Sequence, residues 1–300
     1  MSEYHNPVLL EQSVSALVTN PDGVYADATF GGGGHSRAIL SRLGPKGRLI
    51  AFDRDGDASA NAPDDPRFTL IHNNFRFIHN YALIEAPDGL DGILADLGVS
   101  SHQFDTPSRG FSFRFDGPLD MRMNVQGVKT AADIVNSYTQ EELERILKIY
   151  GEVDNARKLA QLIVAARASA PILSTGDLDN ALAGALPSFA EHKFLAKVYQ
   201  ALRIEVNDEM RSLRKFLPGA ARSLRSGGIL AVITYHSLED RMVKNFMRSG
   251  NTEGTMQKDG YGRSSSLMSP AIRKPVIPGE EEISSNTRAR SAKLRVAKKN

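Results

Sequence analysis

The chain has 300 residues, 41% of them hydrophobic, and 37 Lys and Arg against 35 Asp and Glu give a net charge of +2. With no cysteine it can build no disulfide, thiolate zinc site, iron–sulfur cluster or thiolate nucleophile. The seven histidines form no i, i+3 or i, i+4 pair on a plausible helix, which argues against a metal site, and no apolar run approaches the ~20 residues of a membrane span.

This length suits one large domain or two of ordinary size. Met1 to His5 lacks the basic and apolar segments of a signal peptide, so a soluble, cytoplasmic protein is expected. A short helix is expected over His5 to Leu17, then a strand from Val24 to Ala28 that runs into Gly31-Gly32-Gly33-Gly34 and a helix carrying Ser36, Ile39, Leu40 and Leu43. A strand, a glycine turn and a helix N-terminus let backbone approach a ligand closely, although flexible turns also use glycine runs. Arg48 to Asp53 reads as a buried second strand, followed by a cap-rich loop and a short helix through Ala62. Phe68 to His72 reads as a third strand, Phe75 to Ile84 as a helix, and Leu90 to Leu97 as a fourth strand.

Strands alternating with helices at this spacing indicate a parallel sheet, whose ligands bind beyond the carboxyl ends of the strands. Asp27, Asp53 and Asp96 all fall at that edge. After Asp96 the rhythm breaks. Gly98 to Val128 is rich in Gly, Ser, Asp and Arg, and a helical stretch follows from about Ala131 to Pro187, with stripes at Leu143, Ile146, Leu147, Tyr150 and at Leu159, Leu162, Ile163, Ala166. This reads as an inserted helical subdomain over 105–205, dividing an α/β domain made of 1–104 and 206–300. The α/β pattern resumes with Val206, Met210, Leu213 and Leu217 on one helix face and a strand from Ile229 to Tyr235. His236 to Asp240 opens another helix, with Ser237 as N-cap and Asp240 completing an approximate capping box. Gly250 to Ser269 reads as a loop, and Ala271 to Pro275 and Ala292 to Ala297 as two final strands. After Glu282 no acid occurs, whereas Arg288, Arg290, Lys293, Arg295, Lys298 and Lys299 follow, a pattern that suits nucleic-acid phosphates or a solvated tail.

The glycine loop fails the dinucleotide fingerprint, because Ser36 or Arg37 stands where the third glycine belongs, and it lacks the Gly-Lys-Ser/Thr of a phosphate loop. S-adenosylmethionine, cationic and free of phosphate, suits acids that would repel a pyrophosphate. Asp53 fits either cofactor through ribose hydroxyls; Asp27 with Asp96 discriminates. Phe75 could pack on an adenine or in the core.

Several stretches carry a resemblance: His5 to Leu10, Asp27 to Ser36, Asp53 to Asp55, Asp96 to Ser101, Arg109 to Phe113, Asp116 to Met123, Gln200 to Ile204, His236 to Asp240 and Arg290 to Arg295. In this order they resemble the bacterial small-subunit ribosomal RNA cytosine-N4 methyltransferases of the MraW/RsmH type. The resemblance implies a class I, Rossmann-like methyltransferase fold with a helical insertion that recognises substrate. It implies S-adenosylmethionine as cofactor and Gly33, Gly34, His35, Asp53, Phe75, Asp96 and Gln103 as its site. It also implies a cytidine in the decoding region of the small-subunit RNA as substrate, within the assembled or nearly assembled subunit, and leaves a homodimer open. The departures are small: Gly32 stands where relatives often carry a larger residue, and Tyr235 where many have Phe.

The N4 lone pair of cytosine is delocalised into the ring, so an acceptor for an N4 hydrogen would assist an in-line transfer. This chain has Asp96-Leu97-Gly98-Val99 where amino-methyltransferases often carry a Pro-Pro clamp, which makes Asp96 the candidate acceptor unless the cofactor occupies it. Methylation at cytosine C5 usually needs a thiolate, and there is none. His236 is a second catalytic candidate, with a structural role as the competing reading. Arg109 to Met123 reads either as an RNA-facing lid or as packing of Phe111, Phe113 and Phe115. The competing functions are a non-enzymatic RNA-binding or ribosome-assembly factor and a DNA methyltransferase.

Overall fold

The computed structural model describes residues 7–185, 191–256 and 266–300. His5 and Asn6 of the expected first helix, Leu186 and Pro187 of the expected helical stretch, and positions 257–265 of the expected loop lie outside the described residues. The chain forms two compact units, one made of 1–98 and 210–300, the other of 99–209.

The first unit begins with helix α1 (Leu10–Leu17), which buries Val14 and Leu17. Strand β1 (Val24–Asp27) leads through the glycine turn into α2 (Gly34–Arg42), and β2 (Arg48–Asp53) follows. The short helix expected after β2 is a 3-10 turn, Gly56–Asn61. Its Gly, Asp, Ser and Asn are poor helix formers, and Asp55 caps it by accepting the Asp57 amide. Strand β3 (Phe68–His72), α3 (Ile78–Glu85) and β4 (Leu90–Asp96) complete this half.

The second unit contains α4 (Ser101–Asp105), α5 (Ala131–Ser137), α6 (Gln140–Ile149), α7 (Ala156–Ser169), α8 (Thr175–Leu182) and α9 (Glu191–Asn207). Capping boxes start four of them, pairing Ser100 with Gln103, Thr130 with Asp133, Thr139 with Glu142, and Ser174 with Asp177. Each satisfies amide donors that a helix start otherwise leaves open. Leu143, Ile146 and Leu147 meet Leu159 and Ile163 in the core of this unit. Most of the Arg109-to-Met123 segment is used internally. Arg109 is buried and donates to the Arg122 and Met123 carbonyls, Arg122 forms a bidentate pair with Asp120, and Phe111 is buried. Phe113 packs edge-on to Tyr199. Of the segment's arginines and phenylalanines, Arg114 and Phe115 are exposed.

Val206 does not share a helix with Met210, Leu213 and Leu217. Asp208, at φ 53°, separates α9 from α10 (Glu209–Ser223). Val206 packs on the core of the second unit, whereas Met210, Leu213 and Leu217 pack in that of the first. Then come β5 (Leu224–Thr234), α11 (Ser237–Ser249), β6 (Met268–Pro270), α12 (Glu280–Ser285) and β7 (Lys293–Lys299). The expected strand at Ala271 to Pro275 is replaced by β6, which begins at the end of the expected loop; at a sheet edge its Pro270 costs no ladder bond. The N-cap of α11 is His236 and not Ser237, and its side chain makes no cap bond. Asp240 instead holds Arg295 Nε at 2.6 Å and Lys293 Nζ at 3.4 Å.

Among the described residues one sheet has seven strands in the order β3-β2-β1-β4-β5-β7-β6. The pairs from β3 through β5 are parallel, while β7 runs antiparallel to both β5 and β6. The basic C-terminal segment is therefore an internal strand, with two of its cations committed to Asp240. The inner parallel strands are buried on both faces, whereas β3 at the sheet edge is partly exposed: along β2, Leu49 packs in one core with Tyr25, Ile39 and Leu94, and Ile50 and Phe52 pack in the other with Ile78, Phe216 and Val243. No helix is long and apolar enough to cross a membrane among the described residues. Strand order reverses between β1 and β4, and the carboxyl ends of these strands are where such a fold opens a crevice.

Candidate active site

The chain leaves β1 at Asp27 and turns through glycines with positive φ, 51° at Gly31 and 75° at Gly33. A Cβ on Gly33 would lie 2.9 Å from the Phe30 ring, and one on Gly34 would lie 2.2 Å from Pro7 Cγ. The turn therefore needs glycine both for its dihedrals and for close approach. Ser36, fully buried, donates to Asp27 Oδ2 at 2.7 Å, so the position a dinucleotide fingerprint reserves for glycine carries a hydroxyl that ties α2 to β1.

The three strand-end acids have different surroundings. Asp27 is 1% exposed and also accepts the Thr29 amide at 3.0 Å. Burial raises its carboxyl above the usual range, and the Ser36 and Thr29 bonds oppose this only in part. It is a brace for the loop. Asp53 accepts the Gly31 amide at 2.7 Å and the Asp55 amide at 2.8 Å, one on each oxygen. Burial raises it too, against those two bonds, with the charges of Asp55 and Asp27 adding to the rise. Each oxygen keeps a lone pair for a donor such as a ribose hydroxyl.

Asp96, on β4, is the most finely set. Its side chain is 22% exposed, the Tyr235 hydroxyl donates to Oδ1 at 2.7 Å, and His35 Nδ1 stands 3.6 Å from Oδ2. Its amide donates to Thr29 Oγ1 at 2.6 Å. Burial pushes the carboxyl up to about 6; a positive charge on His35 would pull it down, as the Tyr235 bond does, while the charges of Asp27 and Glu239 push further up. His35 is 5% exposed and its Nε2 lies 3.2 Å from the Val8 carbonyl. That partner accepts only, so Nε2 carries the hydrogen and Nδ1 turns its lone pair towards Asp96. Burial keeps this imidazole below its usual pKa, only partly offset by Asp96 and Val8. The site presents carboxylates and a neutral imidazole beside a glycine turn, and offers a cation more than it offers an anion.

A family model described as the MraW methylase family matches residues 2–300. The chain belongs to the MraW methylase family. Among its curated relatives, the ribosomal RNA small subunit methyltransferase H of Parabacteroides distasonis is 53% identical over 297 residues, covering 99% of this chain and 97% of that one. The protein of that name from Flavobacterium johnsoniae is 53% identical, with 99% and 98% covered. Solved structures align more loosely; an rRNA methylase from Streptococcus thermophilus, 9% identical, covers 100% of this chain and 98% of its own at a TM-score of 0.41. The fold therefore rests on the strand order described above, which is the parallel, Rossmann-like arrangement of an α/β methyltransferase.

As a methylase of this family, the chain groups Gly33, Gly34, His35, Asp53 and Asp96 around the carboxyl ends of β1, β2 and β4. Phe75, on the turn after β3, is half-buried and packs edge-on against Phe216 with ring centroids 5.1 Å apart, so one side of it belongs to the core. Gln103 belongs to the second unit, where it is buried and its Oε1 accepts the Ser100 amide. His236 is partly buried, its side chain 9% exposed, with Nε2 3.2 Å from Glu239 Oε1, out of line for a hydrogen bond, and neither ring nitrogen has a hydrogen-bond partner among the described residues. Sequence reading missed the side chain of Thr29 and the hydroxyl of Tyr235, both bonded to Asp96. Nothing in strand periodicity separates a tyrosine that packs from one that donates.

Proposed function

We propose that the chain transfers a methyl group from S-adenosylmethionine to the exocyclic N4 of a cytidine in small-subunit ribosomal RNA. The observation that carries this reading is Asp96, a carboxyl at the end of β4 held by the Tyr235 hydroxyl at 2.7 Å beside a glycine turn built for close approach, in a chain 53% identical to small-subunit RNA methyltransferases. The methyl donor is S-adenosylmethionine, which supplies an electrophilic methyl on a sulfonium. Gly33, Gly34, His35, Asp53, Phe75, Asp96 and Gln103 hold it, with Asp53 accepting from the ribose hydroxyls. Asp96 accepts an N4 hydrogen, returning the nitrogen lone pair from the ring to the attacking direction, and relays the proton to solvent after transfer. His236 is the second candidate for that relay. Arg114 and Phe115, the exposed side chains of their segment, contact the RNA, and the enzyme acts in the cytoplasm on the assembled or nearly assembled subunit.

Two measurements test this. Calorimetry with S-adenosylmethionine should show binding that Asp53→Ala weakens by about tenfold to a hundredfold, the worth of charge-assisted hydrogen bonds; a wild type that binds none ends the cofactor reading. Mass spectrometry of ribosomal RNA from a strain deleted for this gene should show loss of N4-methylcytidine, restored by complementation. If the modification persists, the substrate is wrong. The non-enzymatic alternative drew on a basic C-terminal segment, but Lys293 and Arg295 of that segment are engaged by Asp240.

A further inference from the structure

Asp96 is held from several elements. His35 faces it from α2, Asp27 from the end of β1 and Glu239 from α11, while the Thr29 hydroxyl accepts its amide. Among the described residues, one side chain donates a hydrogen bond to its carboxyl group: Tyr235, which follows β5. The main chain that carries this phenol is itself anchored, because the Tyr235 amide donates to Glu239 Oε2 at 3.0 Å. We propose that Tyr235 is a positioning residue for methyl transfer, whose hydroxyl holds Asp96 Oδ1 and leaves Oδ2 as the oxygen that receives the exocyclic amine. This rests on the reading of Asp96 as the N4-hydrogen acceptor.

The chemistry of the two oxygens differs for a simple reason. Oδ1 has a donor at 2.7 Å, whereas Oδ2 faces the His35 lone pair at 3.6 Å, a contact that gives it no hydrogen. An incoming N–H is therefore better received at Oδ2. The phenol also favours the ionised form of the carboxyl that it touches, since a donor stabilises the anion. Burial first, and then the charge of Asp96, hold the Tyr235 hydroxyl well above its usual pKa, with Glu239 and Glu282 adding to this, so it remains a donor throughout the working pH range. Removing the hydroxyl alone should leave the ring in place, make Asp96 harder to ionise and free its rotation.

The experiment compares wild type, Tyr235→Phe and Asp96→Asn, measuring kcat/KM for S-adenosylmethionine between about pH 5 and 9. The acceptor is small ribosomal subunits from the deletion strain. The wild type should lose activity on acidification with a midpoint near 6, the value to which Asp96 is raised. Tyr235→Phe should move that midpoint upward by about one pH unit, with kcat/KM at pH 6 falling about fivefold and a smaller loss at pH 8.5. Its S-adenosylmethionine affinity at pH 8.5 and its melting temperature should stay close to wild type. A Tyr235→Phe profile that coincides with wild type, beside an inactive Asp96→Asn, overturns the role of Tyr235 alone. An Asp96→Asn enzyme with the wild-type rate and midpoint overturns the acceptor reading, and this inference with it. A lower rate at every pH with an unmoved midpoint is the mark of a purely structural tyrosine and also overturns it.

Discussion

Asp96→Asn should lower the rate of methyl transfer to small ribosomal subunits by about a hundredfold to ten-thousandfold, the range over which a positioned proton acceptor contributes. The amide matches the carboxylate in size and can keep its oxygen on the Tyr235 hydroxyl at Oδ1, so the substitution removes charge and basicity while sparing packing. Incorporation of a labelled methyl group measures the rate, and RNA binding by the variant should remain near wild type. A variant within threefold of wild type would remove Asp96 from the mechanism. Stability should change in the opposite direction. A carboxyl held at about 6 in place of 3.8 costs about 3 kcal/mol to ionise in the folded state. Its folded pKa is raised, so stability is greatest below the unfolded value and falls as pH rises from about 4 to about 6, staying lower above that. The neutral amide escapes this cost, and Asp96→Asn should unfold at a higher temperature than wild type at pH 7 while losing the advantage at pH 4. An enzyme that is more stable when its acceptor is neutralised carries that acceptor for function.

Asp240→Ala should destabilise the first unit by about 3–5 kcal/mol at neutral pH, as expected when one partner of a largely buried ion pair is removed. The Asp240 carboxylate receives Arg295 Nε at 2.6 Å, a second Arg295 nitrogen at 3.1 Å and Lys293 Nζ at 3.4 Å. The Arg295 and Asp240 side chains are 13% and 14% exposed, so alanine would strand the guanidinium with little water to replace its partner. Burial acts to raise Asp240, but the bonds and charges of Arg295 and Lys293 outweigh it and leave the carboxyl below its usual value. A lowered folded pKa contributes stability that is present above the ordinary carboxyl range and lost as pH falls through the lowered value. Urea unfolding should therefore separate wild type from Asp240→Ala widely at pH 7 and bring them together in strong acid. Hydrogen exchange should quicken first at Leu294 and Val296, the amides of β7. Unchanged stability at pH 7 would show that the β5–β7 ladder stands without its ion pair.

The alternation of strands and helices up to Asp96 was legible because the inner parallel strands carry unbroken apolar runs: Leu49 to Phe52 and Ile93 to Ala95 are buried on both faces. The acids at Asp27, Asp53 and Asp96 were legible for a related reason, since a charge ending such a run marks the sheet edge. Legibility failed where tertiary partners override local pattern. Val206 fits the helical spacing of Met210, Leu213 and Leu217, yet a left-handed Asp208 interrupts the helix and sends it to a different core. Ser237 and Asp240 have the spacing of a capping box, but Asp240 gains more from two cations fifty residues downstream in sequence than from one amide beside it. Ala292 to Ala297 was legible as a strand, matching β7, but its basic residues suited nucleic-acid phosphates or a solvated tail equally well, because alternation of Leu294, Val296 and charged residues is also the pattern of an edge strand; only the sheet reveals that β7 lies inside it. Tyr235 completes the list, its ring legible as strand and its hydroxyl not.

The division of the first unit across the sequence has a consequence for how the protein is made. Strands β1 to β4 have all emerged by Asp96, but the partner of β4 begins only at Leu224, after the whole second unit. At ribosomal speeds of about 5–20 residues per second, a nascent half-sheet waits for roughly ten seconds with one edge of β4 unpaired. The second unit, being a single run of sequence, can fold during that pause, whereas the first cannot complete its hydrogen-bonded ladder until the delay ends. An unpaired, apolar strand edge is a template for wrong pairing. The growing chain should therefore be at its most chaperone-dependent between these two points of synthesis, and truncations that stop there should aggregate.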